Sequence, residues 1–306
     1  MIEDSPRVWL GNLKRRNLRR AERLWLRAIT AAKGADEPPA RPIFIVGCPR
    51  SGTSLLFSLL RRHEALGSLP GEGHVLWSTY QHPRLKGWSS DRVTEDDVKP
   101  GEPRFLYTGI RRIAGDRRFL DKTPKNVLRI PYLTKLFPDA TFVLLKRDGR
   151  DTVSSLIEGW KVRQSPSYRL PEPLDLSDYR GRMWSFVLPP GWREWASSSI
   201  AEVAAFQYAA SYEIALDDKE CLPPDSVVEV RFEELLQSPR REVPWLLERL
   251  ELSPSTEVMD IALNLNAYPV MSNSPPRREK WRDRADEIAR VMPRIAPTMA
   301  RLGYVV

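Results

Sequence analysis

Two kinds of apolar periodicity alternate along this chain. Across residues 7–33, Leu10, Leu13, Leu18, Ala21, Trp25, Ile29 and Ala32 recur every three to five positions. That spacing predicts an amphipathic helix with one broad apolar face. Lys14, Arg15, Arg16, Arg19, Arg20, Arg23 and Arg27 crowd its other face. GADEPPARP, residues 34–42, then reads as a linker. Beyond it the pattern changes. Ile43, Phe44, Ile45 and Val46 form an unbroken β-branched and aromatic run, which predicts a buried strand. Similar short runs recur at 119–121, 141–145 and 227–230. Helical patterns follow at 55–60, 105–114, 126–137, 152–160, 197–216, 243–252 and 255–265, with a last helix after Trp281. Strands alternating with helices predict a mostly parallel central sheet flanked by helices, a doubly wound α/β fold. Residues 75–99, with Trp77, Tyr80 and Trp88, read as irregular. Residues 161–195 are rich in Pro, Trp and Tyr and lack clear periodicity, as lids and specificity loops often do.

Parallel sheets bind ligands at the carboxyl ends of their strands. Here those positions carry cations: Arg50 after the first strand, Lys122 after the second and Arg147 after the third. The first loop, Gly47-Cys48-Pro49-Arg50-Ser51-Gly52-Thr53-Ser54, has the glycine spacing of a Walker A loop. Strand, glycine-bounded loop and helix turn backbone N–H groups toward one anion. Thr53 stands where a Walker A loop needs its lysine, so the cradle does not suit a nucleoside triphosphate with magnesium. A second phosphate-like site pairs Arg147 with Ser155, two turns into the following helix. Taken alone, Arg147 would read as a surface ion pair with Asp148 or Asp151.

Composition narrows the picture. The 306 residues suffice for one large α/β domain, here 42–306, after a basic helix and linker over 1–41. Two distant cysteines, Cys48 and Cys221, imply no disulfide framework and fit a reducing compartment. Three histidines with no His/Cys cluster argue against a zinc site. MIEDSPRV has no apolar leader core, and no run approaches the ~18 apolar residues of a membrane span, so a cytoplasmic location is expected. The net charge of +8 favours anionic partners without choosing among them. The basic face of residues 7–33 reads as a solvated side, or as a peripheral contact with anionic membrane.

PRSGTS at 49–54, with Arg147 and Ser155 in LLKRDGRDTVSSL, resembles the two signature segments of sulfotransferases that use 3′-phosphoadenosine 5′-phosphosulfate (PAPS). DKTPKN at 121–126 resembles the KTP segment of the branch with bacterial, carbohydrate and tyrosyl-protein sulfotransferases, and VEVRFEELLQSP at 228–239 resembles a late family segment. SNSPPRREKW at 272–281 and LGY at 302–304 are weaker matches. The resemblance implies a P-loop-like three-layer fold and sulfuryl transfer from PAPS, without a metal, leaving adenosine 3′,5′-bisphosphate. The acceptor would be a hydroxyl, less readily an amine, of a small molecule, lipid or carbohydrate, with 161–195 as an acceptor lid. It further implies that Arg50, Ser51, Gly52, Thr53 and Ser54 cradle the 5′-phosphosulfate and that Arg147 and Ser155 hold the 3′-phosphate. Ser272 and Lys280 would close over that phosphate from a late basic loop. Arg50 and Lys122 would stabilise the leaving phosphate. Glu72, in a glycine-flanked turn, matches the glutamate base of the tyrosyl-protein branch, with His74 as its rival. Leu55 stands where cytosolic members stack a tryptophan on adenine, which leaves Trp281 or an aromatic of 77–88 for that role. Two other readings remain: a P-loop phosphotransferase, and a non-catalytic protein that binds anionic surfaces or nucleic acid through its basic helix, although no specific nucleic acid is expected.

Overall fold

The computed structural model describes residues 21, 24–30, 34–162, 166–264 and 279–305. Most of the basic helix expected over 7–33 lies outside the described residues, as does Ser272. Residues 24–30 are helical, and Leu26 is buried close to Gly109.

The strands are β1 (Ile43–Val46), β2 (Leu66–Gly67), β3 (Arg118–Asp121), β4 (Thr141–Lys146), β5 (Pro166–Leu176), β6 (Tyr179–Ser185) and β7 (Val227–Arg231). Five of them form one parallel sheet in the order β2-β3-β1-β4-β7, while β5 and β6 pair as an antiparallel hairpin. β1 runs in register with β4, Ile43 opposite Thr141 and Val46 opposite Leu144. Because successive side chains point to opposite faces, each central strand feeds two cores. Phe44, Val46, Phe142 and Leu144 join one; Ile43, Ile45, Val143 and Leu145 join the other. The first core is covered by α2 (His74–Gln81), α3 (Glu102–Ala114), α4 (Ile130–Leu136), α5 (Gly149–Val162), α6 (Ile200–Glu220), α10 (Ala285–Arg301) and the hairpin. The second is covered by α1 (Thr53–Leu60), α7 (Phe232–Gln237), α8 (Pro239–Arg249) and α9 (Thr256–Leu263). This is the expected three-layer α/β fold.

The order of the strands positions the site. After β1 the chain makes β2 at one edge and returns with β3 against β1. It then crosses to β4 on the other side. The order reverses at the carboxyl ends of β3, β1 and β4, the place where open sheets of this kind bind ligands.

Local departures from the sequence reading have physical causes. Residues 75–81, part of the stretch read as irregular, fall within α2, a short helix that buries Leu76, Trp77 and Gln81. The helical pattern over 126–137 splits into a 3-10 turn at Pro124–Leu128 and then α4, with Pro131 in its first turn, where a missing N–H costs nothing. Residues 161–195 contain the β5–β6 hairpin. Two register shifts interrupt its pairing, which erases the alternation that would have announced strands.

Candidate active site

The loop after β1 is shaped by close backbone packing. A β-carbon on Gly47 would lie 2.7 Å from the Leu145 carbonyl oxygen, so the loop leaves β1 pressed against β4. Ser51 N–H donates to the Cys48 carbonyl (3.1 Å), and the backbone turns through Arg50 at φ 72° and Gly52 at φ 103°. Both torsions are left-handed, a region that glycine enters at no steric cost and arginine does not. α1 starts at Thr53 behind Gly52, which has no side chain to cap it. The first N–H groups of that helix are therefore left to an anion.

One cation cluster forms beside this loop. Arg147, just past β4, donates from Nη1 to the Arg50 carbonyl (3.0 Å). Arg50 Nε donates to Ser155 Oγ on α5 (3.1 Å). Arg147 and Ser155 are buried. Phe232, the first residue of α7, forms the floor. Its ring centroid lies 4.6 Å from the Arg147 guanidinium, and a β-carbon on Gly52 would meet its Cε2 at 2.2 Å. Burial lowers the pKa of the Arg50 guanidinium and the like charge of Arg147 adds to this, while Glu158 opposes it. Two guanidinium groups and a hydroxyl thus stand close together, and an anion between them would relieve the like charge. Lys280 pairs with Glu158, one turn beyond Ser155. The backbone N–H groups of Glu279 and Trp281 donate to Asp151 (3.2 and 3.1 Å).

The other cluster stands at the opposite end of the same loop. Lys122, with a side chain 4% exposed, donates from Nζ to Ser54 Oγ (3.0 Å) and pairs with Glu72. Glu72 Oε2 also bonds His74 Nε2 (2.7 Å). Burial by itself would raise the pKa of the Glu72 carboxyl. The hydrogen bond from His74 and the charge of Lys122 outweigh it and hold the group well below the usual carboxylate range. About a third of the Glu72 side chain (36%) stays exposed. The residues singled out in the sequence therefore fall into two groups. Arg50 joins Arg147 and Ser155, and Lys122 joins Ser54, Glu72 and His74. Sequence reasoning assigned no role to Phe232, although its place directly after β7, within VEVRFEELLQSP, was a usable signal.

The profile of the Sulfotransferase family matches residues 42–256. The chain belongs to the sulfotransferase family. It is an enzyme of that family, and the readings as a phosphotransferase or a non-catalytic binding protein fall away. This sulfotransferase is 27% identical to Protein-tyrosine sulfotransferase 1 of Danio rerio over 288 residues, which cover 86% of this chain and 72% of the relative. It is 26% identical to Protein-tyrosine sulfotransferase A of Caenorhabditis elegans over 286 residues, 86% of this chain and 67% of the relative. Among solved structures, a sulfotransferase from Mycobacterium avium superposes with a TM-score of 0.59 at 16% identity, covering 89% of this chain and 79% of that one. One from Mycobacterium tuberculosis does so with 0.54 at 15% identity, covering 94% and 86%. At those identities the structures establish the shared fold.

Proposed function

We propose that this sulfotransferase moves a sulfuryl group from PAPS to an acceptor hydroxyl, with Glu72 as the base. The observation that carries the reading is that two clusters of anion-binding side chains flank one loop, Arg147, Arg50 and Ser155 on one side and Lys122 with Ser54 on the other. A donor with a phosphate at each end of its ribose needs two such clusters, and one phosphate would need only one. Arg147 and Ser155 fit the 3′-phosphate, and Arg50, expected at the 5′-phosphosulfate and the leaving phosphate, is held beside them by its bond to Ser155. The uncapped start of α1, Ser54 and Lys122 fit the 5′-phosphosulfate.

The chemistry follows from those assignments. The bond between sulfur and the bridging phosphate oxygen breaks as sulfur bonds the acceptor oxygen. The electron pair stays on the leaving phosphate, and the acceptor proton passes to Glu72. Lys122, fixed by Ser54, faces the charge that develops on the leaving oxygen, where a preorganised cation lowers the barrier. Lys122 is also the partner of Glu72. The negative charge of a bound donor offsets that of Lys122 and weakens its hold on the carboxylate, whose basicity then rises. His74 keeps the second Glu72 oxygen oriented.

A tyrosyl phenol is the first acceptor to try, ahead of a small molecule, lipid or carbohydrate. Support for that order is the naming of two relatives that span 86% of this chain as protein-tyrosine sulfotransferases. The test supplies labelled PAPS with tyrosine peptides, sugars and lipids and looks by mass spectrometry for one added sulfuryl group. Glu72→Gln should abolish transfer and leave binding of adenosine 3′,5′-bisphosphate intact. Loss of transfer in His74→Ala with activity retained in Glu72→Gln would reassign the base.

A further inference from the structure

Asp121 ends β3 beside Lys122 and belongs to neither cluster. Its carboxylate is buried, and its partners are all internal. Oδ2 accepts from Trp77 Nε1 (3.1 Å) and Asn126 Nδ2 (2.9 Å), and Oδ1 accepts from Thr123 Oγ1 (3.1 Å). Trp77 lies in the first turn of α2, the helix that begins at His74. The roof over the carboxylate is Gly73, the residue between Glu72 and His74. A β-carbon there would stand 2.3 Å from Asp121 Oδ1 and 2.9 Å from Trp77 Nε1. Gly73 has φ −72°, a torsion any residue adopts, so glycine is present here for room. One carboxylate therefore touches the backbone next to Glu72 and is itself the neighbour of Lys122.

Isolated burial of a carboxyl is costly, and it raises the pKa of this one to about 6 against the pull of Thr123, Trp77 and Lys122. An apolar residue would fill the same space without that cost, yet could not bind the indole, the amide and the hydroxyl at once. We infer that Asp121 is a positioning residue: it ties the Glu72–Gly73–His74 turn and the start of α2 to the strand end that carries Lys122. Glu72 and Lys122 thereby meet at one fixed separation. The inference rests on Glu72 being the base.

The full chain is tested as the wild type and as Glu72→Gln, Asp121→Asn, Gly73→Ala and the exchange D121N/N126D. The protein has three histidines, His63, His74 and His82, so each imidazole can be titrated separately by NMR. Glu72→Gln should lower the His74 midpoint. Asp121→Asn should move it the same way and leave His63 and His82 in place. The exchange variant restores an amide–carboxylate pair and should bring the midpoint back. Gly73→Ala, which presses on the carboxylate from above, should act like Asp121→Asn and serves if that variant does not fold. Release of adenosine 3′,5′-bisphosphate from PAPS, with the acceptor mixture present, should fall on the order of tenfold or more in Asp121→Asn. Affinity for the bisphosphate should stay within about twofold, since no donor-holding group moves. A wild-type His74 midpoint in both Asp121→Asn and Gly73→Ala overturns the inference. So does a parallel shift of all three histidines with a matching loss of melting temperature. Continued turnover in Glu72→Gln would instead sink the reading of the base.

Discussion

Arg50 carries its side chain on a left-handed backbone, φ 72°, and sends Nε to Ser155 across 105 residues of sequence. The torsion costs about 1–3 kcal/mol in a non-glycine residue and persists because the loop is held on both sides. Gly47 packs on the Leu145 carbonyl, Gly52 packs on Phe232, and Arg147 bonds the Arg50 carbonyl. Removing the Ser155 hydroxyl leaves the Arg50 donor without that acceptor, at a cost of roughly 1–3 kcal/mol. Ser155→Ala should therefore weaken binding of adenosine 3′,5′-bisphosphate by about tenfold, as read by titration calorimetry. A change under about twofold would separate Ser155 from the 3′-phosphate. Gly52→Ala meets both a φ of 103° and the Phe232 ring, so bisphosphate binding should be lost and the melting temperature should fall.

At the scale of elements, the β5–β6 hairpin is fastened to the body rather than hinged on it. Tyr168 on β5 donates its hydroxyl proton to Asp91 and accepts from Lys125, which follows the Lys122 segment. Asp91 is fully buried, faces Arg129 at 3.3 Å, and accepts from the Leu188 N–H at 2.8 Å. Tyr168→Phe leaves these buried groups short of a partner and should destabilise the protein by about 1–3 kcal/mol. Amide exchange should quicken first in the hairpin, and unchanged hairpin protection would contradict the fastening role. His82, at the end of α2, meets Trp88 and Tyr168 edge-on, with centroids 5.6 and 5.4 Å away. Burial pushes its imidazole down to about 4, helped by the charge of Lys125 and opposed by Asp91. The folded state therefore binds fewer protons than the unfolded chain, whose histidine titrates near 6.5. This contribution is complete above about pH 6.5 and is lost as pH falls toward 4. The drop in urea midpoint between pH 7 and 4.5 should thus be smaller in His82→Gln than in the wild type.

For the whole molecule, the donor would join β1, β3 and β4 with α1 and α5. These elements already share the sheet and the two cores, so binding stabilises the fold as a unit. At a hundredfold excess over Kd, adenosine 3′,5′-bisphosphate should add about 2.7 kcal/mol, seen as a concentration-dependent rise in melting temperature that Arg147→Ala abolishes. The three-layer fold and the cations at the strand ends were legible because both are local signals. A buried run such as Ile43–Val46 encodes a strand whatever lies around it, and a parallel sheet sends its carboxyl ends to one side. The hairpin was not legible, because its register shifts destroy the alternation that marks a strand. Phe232 and Asp121 were passed over as sites because each acts on a residue remote in sequence, Phe232 on Gly52 and Arg147, Asp121 on Gly73 and Trp77. The sequence by itself thus determined the central strands and most flanking helices, where the glycine-bounded loop lies and which residue types stand at the carboxyl ends of the strands. Only the tertiary structure decided that Arg50 pairs with Ser155 and that Lys122 divides itself between Ser54 and Glu72. Those contacts span 105, 68 and 50 residues, and separations of that kind close only when strand order and register bring the chain back to the same edge.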